Sequence, residues 1–160
     1  MLKKPFGGLA SGIHKLWFRY RLKTMAASLY IVVEGEDPGF DIFVNGHALA
    51  RNEDALEQMA ERLEVPPLLE FFSADADSMA ILQEQGAEEP DEECRLPQPQ
   101  WFEASDGLLT VRALSGFLGE STAALGSETQ PVLMELGEYE RVLQKAAQRG
   151  LRWHVAVSWC

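Results

Sequence analysis

The sequence predicts an α+β fold, in which a small sheet including the N- and C-terminal strands packs against several helices. Three observations predict it. Residues 151–159 alternate: Leu151, Trp153, Val155, Val157 and Trp159 share one face, while Arg152, His154, Ala156 and Ser158 share the other. Residues 28–34 are rich in β-branched and aromatic side chains and read as a first strand. Between the two, apolar residues recur at helical spacing in several separate segments.

The elements follow in chain order. Residues 1–33 contain Lys3, Lys4, Lys15, Arg19, Arg21 and Lys23 and no acid. From Glu34 onward, eight Lys and Arg stand against all 25 acids, a net charge of −17. In the basic head, Leu9, Ile13, Leu16, Trp17 and Tyr20 share one side of a helical wheel, but Phe18 and Leu22 spoil the opposite face. Three readings compete for it: an extension upstream of a physiological start at Met25, a basic amphipathic arm for a membrane or acidic partner, or an organellar transit segment. The first is preferred, because the apolar run opening at Met25 is the first stretch with clear folding logic. The expected division is a basic extension over 1–24 and a single α+β domain over 25–160.

After the first strand, Glu36, Asp37, Pro38 and Gly39 form a turn by composition. Ile42, Phe43 and Val44 lead into Asn45-Gly46, which suits a short hairpin or a structured loop. Asn52 is placed to cap a helix, with Glu53 and Asp54 in its first turn and Leu56, Met59, Ala60 and Leu63 on its buried stripe. Pro66-Pro67 ends this region, and residues 68–72 suggest a short helix. A further helix is expected over 78–85, stopped by Gly86. Residues 86–100 carry three prolines and a run of acids around Pro90, and read as a solvated loop. Ser105 is placed to cap a helix reaching about Leu118, with Leu108, Val111, Leu114 and Leu118 inward, and 120–130 is a second polar loop. Pro131 suits the first turn of the last helix, whose stripe is Val132, Leu136, Tyr139, Leu143 and Ala146, and Gly150 caps its end.

Size and composition bound the function. At 160 residues, 46% apolar and 24% charged, the chain needs neither metal nor disulfide to hold a core. Cys94 and Cys160 make no CxxC pair, and no His stands at metal-ligand spacing from either, which fits a reducing cytoplasmic setting. No apolar stretch approaches the roughly 20 residues that span a bilayer. The acid surplus argues against nucleic acid, whose phosphates are bound by Lys and Arg. There is no Gly-rich phosphate loop, GxGxxG, HExxH or GxSxG. No cofactor and no metal are expected.

Four groups of residues are candidate sites, each with a plainer role beside it. Glu34, Glu36, Asp37 and Asp41, near His47, offer oxygens to a cation but lack the EF-hand order, and a solvated acidic turn explains them as well. Asp75 and Asp77 resemble the paired aspartates of phosphatases that form a phospho-aspartate, without the buried strand those need; a helix N-terminus rich in acids is the preferred reading. Arg152 and His154 share a strand face, and with Tyr30 and Glu34 they compose a polar cluster suited to an anion or to acid–base work, as does any sheet face open to water. The acidic loop with Cys94 suits docking on a basic partner or plain solvation; Glu92 and Glu93 disfavour a thiolate there.

Several stretches resemble a set of small uncharacterised bacterial α+β proteins: Ser28-Leu-Tyr-Ile-Val-Val33, Pro38-Gly-Phe-Asp41, Val44-Asn-Gly46, Leu68-Leu-Glu-Phe-Phe-Ser73, Trp101-Phe102, Gly107-Leu-Leu-Thr-Val-Arg-Ala-Leu114 and Arg152-Trp-His-Val-Ala-Val157. The resemblance implies a start near Met25 and a shared fold; its motifs are apolar and turn-forming and carry no activity. In size and charge the chain also resembles immunity proteins of bacterial toxin systems. The functional expectation is an acidic, cytoplasmic, non-catalytic domain that binds another protein, a basic one suiting its charge. The alternative is a small enzyme or ligand-binding domain with a polar site at Tyr30, Glu34, Arg152 and His154. Membrane contact is expected only through residues 1–24.

Overall fold

The computed structural model describes residues 27–73 and 99–158. The expectations for the head, for Asp75 and Asp77, for the helix over 78–85, for residues 86–98 with Cys94, and for Trp159 and Cys160 lie outside the described residues.

The described elements are β1 (Ser28–Val33), α1 (His47–Arg51), α2 (Glu53–Arg62), a 3-10 turn (Leu68–Phe71), β2 (Phe102–Glu103), α3 (Ala104–Glu120), a second 3-10 turn (Gly126–Glu128), α4 (Thr129–Gln148) and β3 (Arg152–Ser158). Together they make a small α+β fold. Its sheet is antiparallel in the order β1-β3-β2, so β3 is central. Phe72 adds a parallel bridge to Val155, and the Ser73 N–H donates to the Val155 carbonyl at 3.1 Å.

The alternation in β3 sets the core face. Trp153, Val155 and Val157 lie opposite Val33, Ile31 and Leu29, and all six are buried. The helical stripes meet that face: Leu108, Val111, Leu114 and Leu118 from α3, and Val132, Leu136, Tyr139, Leu143 and Ala146 from α4, are buried. Trp153 is the hub. Its ring lies 5.1 Å from that of Phe71 and 6.5 Å, edge to face, from that of Tyr139. Its indole N–H donates to the Glu103 carbonyl at 3.2 Å, which meets the polar need of a fully buried tryptophan. Gly107 lets α3 approach this ring, since a Cβ there would stand 2.3 Å from Trp153 Cζ2.

Helix ends show where local chemistry and tertiary demand agree. Gly150, at φ +67°, follows α4, and the Leu151 and Gly150 N–H groups return to the Ala146 and Ala147 carbonyls. That bond pair is a Schellman motif, and it turns the chain directly into β3. The end of α2 repeats the pattern with Glu64 at φ 58° in place of glycine.

Several expectations need correction. Asn52 sits where α2 begins, but its side chain donates to the Ala48 carbonyl at 2.8 Å and caps nothing ahead of it. The cause is α1, a five-residue helix immediately upstream whose open carbonyls compete for the amide. Ser105 lies inside α3, which begins at Ala104 as the chain leaves β2. Residues 129 and 130 belong to α4 and not to the second polar loop, while Pro131, its third residue, lies in the first turn as expected. Of the two readings of Ile42, Phe43 and Val44, the structured loop is the one found, not the hairpin. The second face of β3 is open to water only toward its ends: Arg152 is exposed, but His154 is 5% exposed and Ala156 is fully buried.

Candidate functional site

The register of β1 and β3 places the four predicted site residues. Tyr30 lies opposite Ala156 and Val32 opposite His154. The Glu34 N–H donates to the Arg152 carbonyl at 2.8 Å, which continues the same pairing by one step. Residues directly opposite in an antiparallel pair project to one side. Tyr30, Glu34, Arg152 and His154 therefore share the face turned away from Trp153.

They do not form one site there. Glu34 and Arg152 engage each other through both carboxylate oxygens, with Nε donating to Oε1 at 3.1 Å and Nη2 to Oε2. The Arg152 hydrogen bond holds the Glu34 carboxyl below its ordinary range and raises the guanidinium in turn. His154 stacks on Trp101 at 4.5 Å between ring centroids, and its Nδ1 faces the Gln100 carbonyl at 3.1 Å. An Nδ1–H donated to that carbonyl sets the tautomer and leaves Nε2 unprotonated in the neutral ring. Tyr30 looks elsewhere, into a groove that none of the other three lines.

That groove, about 760 Å³, runs between β1 and the segment 41–45. Its floor includes Tyr30 and Val32, and its far wall is Ile42, Phe43 and Val44. The wall is carried by α4, not by the sheet. Arg141 donates to the Asp41 and Phe43 carbonyls at 2.9 and 3.2 Å, and Glu138 accepts the Asn45 N–H at 2.9 Å. At the closed end the Leu29 N–H donates to the Gly46 carbonyl at 3.1 Å, so closely that a Cβ on Gly46 would sit 1.8 Å from the Leu29 oxygen. Phe43 is 74% exposed, a large apolar ring held in water.

No protein-family model, curated protein or solved structure matches the chain.

Two of the acids after β1 are engaged locally. Asp37 accepts the Gly39 N–H at 2.8 Å and Asp41 the Phe43 N–H at 2.9 Å, both as turns two residues long. His47 Nδ1 faces the Ala27 carbonyl at 2.9 Å. Among the described residues no three His, Cys, Asp or Glu are placed to hold a metal ion. Also among them, no helix is long and apolar enough to cross a membrane. Sequence reasoning missed the groove wall. Three apolar residues in a row ahead of Asn-Gly left a hairpin and a loop equally open, and the bonds from Arg141 and Glu138 hold them as a loop. The signals that this stretch turns were Asn45-Gly46 and Asp41, two residues before Phe43.

Proposed function

We propose that this is a non-catalytic, acidic domain that binds another protein, and that the groove beside β1 is its contact surface. The supporting observation is Phe43: a ring 74% exposed on the wall of an apolar groove, next to the acidic stretch Glu34, Glu36, Asp37 and Asp41. An apolar anchor with a charged border is the usual build of a protein contact. The acid surplus favours a basic partner and fast, salt-sensitive association. Blocking such a partner, as an immunity protein does, is one form this takes, and the reducing cytoplasmic setting expected from Cys94 and Cys160 suits it.

The polar-site alternative asks Glu34 and Arg152 to give up their mutual pair for a ligand, and His154 to leave Trp101. The groove asks for neither. The test is capture from the source lysate on the immobilised full chain at low salt, beside a Phe43→Ser variant. A partner retained by the parent, lost at high salt and lost on the variant is expected. Equal capture by both chains would remove the groove from the reading, and no capture would remove the reading.

A further inference from the structure

We propose that in the full chain the basic N-terminal segment, residues 9–23, docks in the groove and covers Phe43, so that a partner must displace it; this rests on the protein-binding reading above and names how that surface is regulated. The first ground is where the segment joins the domain. The described chain begins at Ala27, which is buried, and His47 Nδ1 faces its carbonyl at 2.9 Å. Ser28 and His47 both line the groove. The chain before Ala27 is therefore delivered to the groove's edge. Tyr20 and Lys23 stand only a few positions upstream, and extended chain spans about 3.3–3.6 Å per residue, so the tether is long enough to let the segment lie back over the groove.

The second ground is complementary chemistry. The groove offers an apolar wall, Ile42, Phe43 and Val44, bordered by Asp41, with Glu36 and Asp37 close along the chain. The segment offers the counterpart. Leu9, Ile13, Leu16, Trp17 and Tyr20 share one side of a helical wheel, Lys15, Arg19 and Lys23 flank that side, and no acid precedes Glu34. An apolar stripe between cations is the pattern that lies in an apolar groove with an acidic border. At about 760 Å³ the groove has room for several of those side chains. The contact is intramolecular. A tethered segment meets its site at an effective concentration on the order of millimolar, so even a weak contact keeps the groove covered most of the time.

Other occupants fit the charge or the space less well. Residues 74–98 are acidic, with Arg95 their only base. Only Trp159 and Cys160 follow Ser158, too short a piece to cover the wall. A second copy sets a formal charge of −11 against its equal. The segment and a basic partner thus compete for one surface, and a chain begun at Met25 presents that surface open.

The test is hydroxyl-radical oxidation of the purified full chain, read residue by residue by mass spectrometry. Two full-length variants stand beside the parent: Leu16→Ser with Trp17→Ser, which breaks the apolar stripe, and Arg19→Glu with Lys23→Glu, which reverses its flank. Leu109 and Met134, 59% and 70% exposed, serve as controls for an intact domain. The expected result is Phe43 modified about threefold or more slowly in the parent than in either variant, as a millimolar effective concentration implies, with both controls unchanged. Both variants are also expected to capture more partner from the lysate than the parent does. Equal modification of Phe43 in all three chains overturns the cover and leaves the partner reading in place. Release by one variant alone overturns the part given to the other feature, stripe or flank. Protection that deepens as the chain is concentrated makes a second copy the occupant and overturns the intramolecular assignment. Equal capture by all three chains overturns the competition. Capture by none removes the partner reading and the competition with it, while slow modification of Phe43 in the parent supports the cover by itself.

Discussion

Single residues carry sharply unequal shares of this structure. Gly46 and Glu64 mark the extremes. A Cβ at Gly46 meets backbone, not a side chain that can swing away, so Gly46→Ala is expected to cost about 3 kcal/mol in a urea titration. Glu64 occupies a left-handed C-terminal position that glycine fills at no steric cost. Glu64→Gly is therefore expected to stabilise by about 0.5–1 kcal/mol in the same titration, although a glycine usually weakens a helix. At this scale the sequence was informative about faces and silent about partners. Alternation alone placed Arg152 and His154 on one side of β3. That Glu34 would close on Arg152, 118 residues along the chain, depends on register, and that Trp101 would stack on His154 depends on distant chain returning to β3.

At the scale of elements, α1 is held in place by a carboxylate from α4. Glu135 is 7% exposed, and its two oxygens accept the N–H groups of Leu49 and Ala48 at 2.9 and 3.1 Å. It is a cap supplied by another helix to a segment too short to hold itself. Burial raises its pKa above the ordinary 4.5, against the pull of those two bonds and of Arg51 and His47. The sign follows: the folded state keeps this proton more tightly than the unfolded one, so the contribution is fully present below 4.5 and declines as pH rises through the folded value. Glu135→Gln is expected to remove that decline, seen as a flatter plot of unfolding free energy against pH above 4.5. Tyr139 is a second such tie, from α4 to the Leu29 carbonyl. Tyr139→Phe leaves that carbonyl buried without its donor and is expected to cost about 1–3 kcal/mol by thermal or urea unfolding. The long helices and β1 were legible because their patterns repeat over several turns or pairs. α1, with five residues, and β2, with two, are shorter than any period that could announce them. They exist because Glu135 and β3 supply what their own sequences lack.

For the whole molecule, charge and packing pull in opposite directions. The chain carries a formal charge of −11, and this self-repulsion lowers the stability of the compact state. Raising the salt concentration is expected to raise the thermal midpoint, while it weakens capture of a basic partner; a midpoint that falls with salt would place the dominant electrostatic term in attractive pairs such as Arg51 with Glu128. The α+β class was legible at this scale because the alternating strand and the helical stripes admit few other arrangements. The groove was not, because it is a gap between a strand and a loop, and a gap leaves no periodic trace. The order of the sheet has a consequence for the birth of the protein. β3 lies between β1 and β2 but follows both along the chain. On the ribosome, β1 and β2 emerge before the strand that joins them among the described residues, and the hydrophobic faces of α3 and α4 wait with them. The sheet closes only when β3 emerges, so a nascent chain halted before Arg152 is expected to remain a client of chaperones rather than a half-built domain.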